Sequence, residues 1–446
     1  MMWLHKTKTL LGFLTLSSSV IYAQKDSIEN RQFVNEELLK RIEELENKQN
    51  PKKTSVVDFY GFIRTDFSYD SRQVAYTREY LMNLYPLDEK LDANGDDINA
   101  SGGSNFLAIG TRLGARVSGP EIWGAKSYAL AEADFVGNTE INRASGGSGT
   151  IGMLRLRQAH FTLAWQKTSL NVGQSWYPAV IPEVMPSVAD FNAGVMFTPF
   201  GWGTQIRVNH QFNTNITASI TAYKDREFPT ATAGGAYTNS ASLNSSIPIF
   251  NAQIQFKNEH IITGIGGEYQ SLKPVTESNN LKSSNKVNAG AGYAYFRYSD
   301  SKFIGKFYGM HGGNLHHYVM NSGFGGYLSD DGTEAYKPVR TTSLWTDFSA
   351  GNAKITPGIF FGYTKNHGAG GDISNLYMRG GDARRVLDNV WRASGRVEFK
   401  QNKFNLAPEV EYTAAKWADT DSNGAAGGNG KSVGSLRILA RAIYSF

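Results

Sequence analysis

From residue 56 to its end, the chain repeatedly alternates apolar and polar side chains with a period of two. In VVDFYGFIRTDFSYD, for example, Phe59, Ile63 and Phe67 alternate with Arg64 and Asp66, and FNAQIQFK and NVWRASGRVEFK repeat the pattern later. Because successive side chains of a strand point to opposite faces, each segment predicts a strand with one apolar and one polar face. Alternating segments of about ten residues are the signature of a transmembrane β-barrel.

Sixteen such segments can be placed, and the connections between them alternate between short and long. QKT, NEH, DSK, GNA and QNK are tight turns, whereas 70–105, 225–246, 311–339, 365–387 and 417–433 are long polar loops. Outer-membrane barrels have short periplasmic turns and longer extracellular loops. We therefore predict an all-β fold, a sixteen-stranded antiparallel transmembrane β-barrel over residues 56–446. The predicted strands are 57–69, 106–118, 124–137, 151–165, 169–176, 202–211, 214–224, 247–257, 260–271, 286–298, 302–310, 340–350, 353–364, 388–400, 404–416 and 434–446.

A soluble β-propeller also contains many short strands and is the main alternative fold. It predicts an internal repeat of about 40–50 residues with blade signatures, and the sequence has no such repeat. The long alternating segments therefore favour the barrel.

The first 23 residues have the pattern of a secretory signal peptide. Lys6 and Lys8 precede the apolar run LLGFLTLSSSVIYA, which ends in the small residue Ala23. No later stretch has 18 consecutive apolar residues, which argues against a helical membrane protein. Export is the expected outcome.

Residues 24–55 form a charged segment without glycine, and they predict a short helix. Ile28, Asn35 and Ile42 recur every seven residues, as do Leu38 and Leu45, which is a coiled-coil pattern with a polar residue at one core position. A homotypic coiled coil in the periplasm and a solvated helical tether are both consistent with so short a repeat.

The barrel prediction places the polar stripes inside, because the backbone pairs within the wall and the apolar stripes face lipid. A cation on the lipid face near the midplane costs about 2–4 kcal/mol, so the arginines of these stripes are predicted to line the pore. The alternation lapses after Gln158, and the faces of that strand stay unassigned. The candidate pore-lining and solute-binding residues are Arg64, Arg112, Arg116, Arg155, Arg157, Arg207, Arg392, Arg396, Arg437 and Arg441.

Several of these arginines lie four residues apart, which is about 13 Å along a strand. Arginine stays charged and presents forked donors that suit carboxylates and phosphates, so a ladder of arginines biases a pore toward anions. Pairing with acidic side chains that merely stiffen the wall is an equally open interpretation. The net charge of +5 is too small for a general nucleic-acid binder, and none is expected as a partner.

The connection near 177–195 differs from the other loops. It contains Pro178, Pro182 and Pro186, and it is too apolar for an exposed tip. We predict that it folds inward and narrows the bore, with Glu183 and Asp190 facing the basic wall. Packing at a trimer contact is the alternative.

Catalytic, metal and cofactor sites are not predicted. DANGDD and DTDSNG have alternating oxygen ligands but lack the later glutamate of a calcium loop. HGGNLHH lies in a long loop, and the chain contains no cysteine. His160 and His210 lie in predicted strands without an evident catalytic partner.

Several pieces of the sequence resemble the DcaP-like outer-membrane porin family. They are YGFIRTDFSYD, TRLGARV, LRLRQAHF, VGQSWYP, DFN, TQIRV and the terminal strand, in the order that the family has them. The resemblance implies a trimeric sixteen-stranded barrel with an N-terminal periplasmic coiled coil, and passive uptake of small, often anionic solutes such as dicarboxylates. The long Gly- and Asn-rich loops depart from the family pattern.

The final segment, SLRILARAIYSF, ends on an aromatic residue, which resembles the assembly signal of outer-membrane barrels. The expected partners are therefore outer-membrane lipid, the barrel-assembly machinery, two further copies of the chain and small anionic solutes. The expected function is that of a non-enzymatic porin in the bacterial outer membrane. An outer-membrane barrel hydrolase and a structural or adhesive barrel are the alternatives.

Overall fold

The computed structural model describes residues 55–446, except residues 79, 138–151, 229–239 and 352. The predicted signal peptide and all but the last residue of the predicted coiled-coil segment lie outside the described residues. Helical structure in the described part of the chain includes α1 (Ser240–Leu243) and a 3₁₀ helix (Leu315–Tyr318). No helix of these described ranges is long and apolar enough to cross a membrane.

The described residues form 23 strands, most of them in one antiparallel sheet. They are β1 (Val56–Asp70), β2 (Val74–Thr77), β3 (Met82–Pro86), β4 (Gly103–Leu107), β5 (Arg112–Ser118), β6 (Lys126–Asp134), β7 (Arg155–Ala164), β8 (Thr168–Trp176), β9 (Trp202–Gln211), β10 (Ile216–Tyr223), β11 (Ile249–Lys257), β12 (Ile261–Leu272), β13 (Glu277–Ser278), β14 (Leu281–Lys282), β15 (Val287–Ser299), β16 (Phe303–Gly313), β17 (Gly323–Leu328), β18 (Glu334–Ala350), β19 (Ile355–Asn366), β20 (Asn375–Met378), β21 (Arg385–Gln401), β22 (Phe404–Asp419) and β23 (Lys431–Ser445).

The sheet closes into a barrel of 16 wall strands, as predicted. Strands β4 and β5 together make one wall strand, because both pair with β1. The barrel closes where β1 pairs with β23, from Phe62 opposite Ser445 to Asp70 opposite Arg437. The short β17 and β20 extend the wall at the end that carries the long loops.

The two faces of the wall have the predicted polarity. The outward side chains Phe59, Ile254 and Ile359 are 77%, 44% and 60% exposed, whereas inward residues such as Arg64 and Glu411 are buried. Apolar side chains on the outside and polar side chains on the inside are the reverse of the arrangement in a soluble protein. This arrangement matches a barrel wall that faces lipid.

Two irregular pairings correct the sequence prediction. The stretch between Leu107 and Arg112 is one residue longer than the stretch of β1 between their pairing partners. The extra residue forms a bulge that interrupts the predicted strand 106–118. The bulge turns Ile109 inward, where it is buried, although its spacing from Leu113 predicts the outer face.

A second bulge explains why the alternation lapses in β7. Glu132 pairs with Gln158, but the next residue of β6 pairs with Leu156, which leaves Arg157 as the extra residue. Arg157 and Gln158 consequently both point inward, and each donates a hydrogen bond to Glu132 Oε1.

Parts of two loops that are predicted to be polar and external instead enter the barrel. Met82 and Leu84 of β3 are buried, and so are Leu315 and Tyr318 of the 3₁₀ helix. They join one hydrophobic cluster inside the barrel. Their apolar side chains gain burial there that they could not gain at an exposed loop tip.

Candidate functional site: the lumen and its inward segment

Residues 177–201, which connect β8 to β9, lie inside the barrel and are called the inward segment below. Tyr177, Val184, Val195 and Phe197 of this segment are completely buried. The structure therefore has this connection inside the barrel. The segment crosses the lumen, because it contacts strands on several sides of the wall.

Wall side chains hold the backbone of the inward segment through its carbonyl oxygens. Lys306 Nζ donates to the Met185 carbonyl at 2.9 Å, and Arg392 Nη1 donates to the Val195 carbonyl at 2.9 Å. Tyr308 also donates to a carbonyl of the segment. Arg392, which we predicted to bind solute, thus serves to anchor the segment.

The two acidic residues predicted in the constriction loop both meet cations of the wall. Glu183 Oε1 lies 3.2 Å from Lys257 Nζ, and Asp190 Oδ2 lies 2.9 Å from Arg437 Nη1. Glu409 Oε2 of β22 accepts hydrogen bonds from the backbone nitrogens of Ala189 and Asp190. Opposite charges and hydrogen bonds together hold this part of the segment against the wall.

Three further arginines, on β1, β21 and β23, pair with acidic or amide side chains. Arg64 donates to Asp66 at 2.8 Å and to the Ala189 carbonyl at 2.9 Å. Arg396 forms a forked pair with Asp347 at 2.8 and 3.0 Å. Arg441 contacts Asn405 and, at 3.6 Å, Glu398.

A compact charge network joins Arg155 and Arg157 to acidic residues. Arg155 Nη2 lies 2.7 Å from Asp134, and Arg157 contacts both Glu132 and Asp134 at 2.8 Å. Arg155 also reaches Glu227 of the loop after β10 at 2.5 Å. Both arginines therefore face the lumen, and Arg155 braces that loop against the wall.

Glu227 is the acidic residue of this network that lies in a loop. Burial opposes its ionisation, but the Arg155 and Arg78 guanidinium groups outweigh burial and hold the pKa of Glu227 below its usual value. The carboxylate is consequently charged at neutral pH, and it ties this loop to β7.

The remaining predicted arginines make longer or neutral contacts. Arg112 lies 3.9 Å from Glu132, and Arg116 lies 3.6 Å from Asp58. Arg207 donates to the Trp176 carbonyl at 2.9 Å. In the described part of the chain, Arg207 forms no ion pair.

A cavity of 80 Å³, called the basic cavity here, lies between the inward segment and strands on several sides of the wall. The acidic residues on its lining are Asp190 and Glu398. The carboxylates that pair with several of its arginines, such as Asp66, Glu132 and Asp347, do not line it. The cavity surface is therefore positive, although most of its cations are paired. Its cations are Arg64, Arg112, Arg157, Arg396, Lys400 and Arg441.

The structure also shows a buried polar cluster that the sequence prediction missed. His317 Nε2 lies 3.3 Å from Glu268, and Tyr223 donates to the same carboxylate at 2.5 Å. Tyr318 joins them through its hydroxyl. These residues come from separate strands and a loop, so only the inward path of that loop brings them together.

The weaker metal and catalytic signals are not assembled into sites within the described ranges. No group of three or more His, Asp or Glu residues there could hold a metal ion. Asp92 instead accepts hydrogen bonds from backbone nitrogens of its own loop. His160 contacts Asn171 and His210 contacts Thr168, which are neutral side chains.

Comparison with known proteins supports this architecture. The family model described as DcaP outer membrane protein matches residues 19–330. The crystal structure of the outer membrane channel DcaP of Acinetobacter baumannii is similar, with 16% identity, a TM-score of 0.63, and coverage of 89% of this chain and 99% of that one. No curated protein matches the sequence.

Two other solved structures share the fold at lower similarity. An anion-selective porin from Comamonas acidovorans has 12% identity and a TM-score of 0.50, and the match covers 88% of this chain and 100% of the porin chain. The trimer form of OmpT, an outer membrane protein of Vibrio cholerae, has 9% identity and a TM-score of 0.50 with the same coverage. At these identities the likeness concerns the fold.

Proposed function

The chain belongs to the DcaP outer membrane protein family, a family of outer-membrane porins, and we propose that it passes small hydrophilic anions by passive diffusion. The solutes would move through the lumen past the inward segment (177–201). The observation that carries this proposal is the lining of the basic cavity, where six cations and two acids face the space.

The positions of the ion-pair partners explain how a largely neutralised wall could still select anions. Arg396 lines the cavity while its partner Asp347 does not, and the same holds for Arg64 and Asp66. A solute in the cavity would thus be nearer the guanidinium groups than the carboxylates. Guanidinium groups suit carboxylate and phosphate oxygens, which favours anions over cations.

We also propose a homotrimer with its N-terminal segment in the periplasm. The similar OmpT structure is a trimer form, and the resemblance to DcaP-like porins implies the same state. Strand β1 starts at Val56 on the side of the short turns, which is the periplasmic side of outer-membrane barrels. Residues 24–55 would then extend into the periplasm as the predicted coiled coil, while lipid surrounds the barrel.

The proposal is tested by electrical recording of the purified full-length protein in planar lipid bilayers. We expect stepwise conductance. In a potassium chloride gradient we expect a reversal potential nearer to the equilibrium potential of chloride than to that of potassium. A protein without stepwise conductance would contradict the porin function. Channels whose reversal potential is zero, or is nearer to the equilibrium potential of potassium, would contradict the anion preference but not the porin function.

A further inference from the structure

A second and larger cavity, of 340 Å³, lies between the inward segment and the part of the wall formed by β1 and β5 to β11. We call it the amide cavity. It reaches the turn between β7 and β8, where Gln166 and Lys167 line it, so it lies toward the end of the short turns. Its volume falls in the range of small-molecule sites, about 300–1,000 Å³.

Amide and hydroxyl side chains dominate the lining of the amide cavity. The amides include Gln158, Asn171, Asn209, Gln253 and Gln255. An amide offers both donors and an acceptor, so neighbouring amides can bind neighbouring hydroxyl groups of a ligand. This chemistry differs from that of the basic cavity and suits a polyhydroxylated molecule.

Two of these amides are held in position by tyrosines of β15. Tyr295 donates to Gln255 Oε1 at 3.0 Å, and the Tyr293 hydroxyl shares its one hydrogen between Gln253 Oε1 and Asn251 Oδ1, each at 3.1 Å. Because the amide oxygens accept these bonds, the amide nitrogens remain as donors for a ligand. The two donors are therefore preorganised, which lowers the entropy cost of binding.

Several buried polar atoms on the lining have no hydrogen-bond partner within the described residues. They are Asn171 Oδ1, Ser219 Oγ, Trp176 Nε1 and Arg207 Nε. These atoms lie just behind the surface of the cavity, where they add to the polar character of its wall.

The cavity is cationic and has no acidic residue among the described residues that line it. Its cations are Arg116, Lys167, Arg207 and Lys257. Arg207 is buried, and it donates hydrogen bonds to two neutral acceptors, the Trp176 carbonyl and Gln205 Oε1, each at 2.9 Å. A ligand carboxylate beside Arg207 would thus face no competing carboxylate on the lining.

Aromatic rings complete the lining. Tyr60, Tyr128, Trp165 and Trp176 are among its residues. Such rings have an apolar body with a polar tip, which matches a ring-shaped ligand that has C–H faces and hydroxyl edges.

We propose that the amide cavity binds an acidic sugar of the hexuronate class, with the carboxylate at Arg207 and the hydroxyl groups at the amides of β11. The inference rests on the proposed porin function for the route by which the sugar arrives. The binding itself requires only the folded barrel. A simple dicarboxylate would leave the amides unused, and a neutral sugar would leave Arg207 without its anion.

The test is isothermal titration calorimetry of the full-length protein in detergent, with D-glucuronate, D-glucose and succinate as probes. We expect saturable binding of glucuronate, and binding about tenfold weaker or more for glucose and for succinate. Equal binding of succinate would show a plain anion site, and equal binding of glucose a neutral-sugar site. Either result, or no saturable binding of glucuronate, would overturn the proposal.

Variants locate the site. Arg207→Gln should weaken glucuronate binding about tenfold or more, because it removes a charge-assisted hydrogen bond, and should leave glucose binding unchanged. Gln253→Leu should weaken both sugars. Arg385→Gln, at the start of β21 on the long-loop side of the barrel, is the matched control and should change neither.

Unchanged glucuronate affinity in both folded cavity variants would contradict the assignment of the site. If Arg207→Gln does not fold, Gln253→Leu alone tests the assignment of the site. Because titration needs no ion flow, glucuronate binding by a protein that fails to conduct would separate this inference from the porin function.

Discussion

Arg437 of the last strand and Asp190 of the inward segment form a buried ion pair, with 2.9 Å between Nη1 and Oδ2. Arg437 also donates to the Tyr80 carbonyl at 3.1 Å and lies 3.4 Å from Asp70. The strand that closes the barrel therefore also holds the segment that crosses its lumen. Closure of the wall and the width of the bore are coupled through one guanidinium group.

Replacing that guanidinium should loosen the inward segment. We expect Arg437→Gln to raise single-channel conductance and to destabilise the barrel by about 3 kcal/mol, because one charge of a buried pair loses its partner. Conductance steps and thermal unfolding in detergent measure the two effects.

The matched control is Arg441→Gln on the same strand. Its contacts go to Asn405 and Glu398 rather than to the inward segment. It should leave the segment in place, so a conductance increase of equal size in this control would show that loop release is not the cause.

The second prediction concerns the charge of the basic cavity. Arg396→Gln combined with Arg441→Gln removes two of its six cations. The double variant should move the reversal potential toward the equilibrium potential of potassium. The same two positions changed to lysine keep the charge and should leave the reversal potential near that of the parent protein. An unchanged reversal potential in the neutral variant would show that these two arginines do not determine the anion selectivity.

The wall of this barrel was predictable from the sequence, because its strands carry a period-two signal and its turns are short. The position of Ile109 was not, since the bulge that reverses it depends on pairing with β1. The inward path of 177–201 was readable from its prolines and apolar residues. The roles of Arg392 and Arg437 as anchors were not, because their partners are more than 190 residues away in the chain.

The loop after β10 should be anchored in a pH-dependent way. Glu227 has a pKa below its usual value, so the stability that it contributes is present above the unfolded pKa of about 4.3. This contribution is lost as the pH falls through the lower folded pKa.

We expect Glu227→Gln to lower the thermal midpoint at pH 7, and the gap to the parent protein should close as the pH falls below 4. The difference between the two proteins cancels the titration of groups that they share. A gap that stays constant down to pH 2 would contradict an ionic anchor.

The last prediction tests the orientation of the wall itself. Ile254 and Gln253 are neighbours on β11, and they point to the outer surface and to the amide cavity respectively. Ile254→Arg should destabilise the barrel by about 2–4 kcal/mol in lipid, because it places a cation on the lipid face. Gln253→Arg should cost much less, because its charge lies in a polar lumen. Urea unfolding in lipid vesicles measures both, and equal costs would contradict the assignment of the outer face to lipid. The comparison is informative because the two sites are adjacent on one strand and point to opposite faces of the wall.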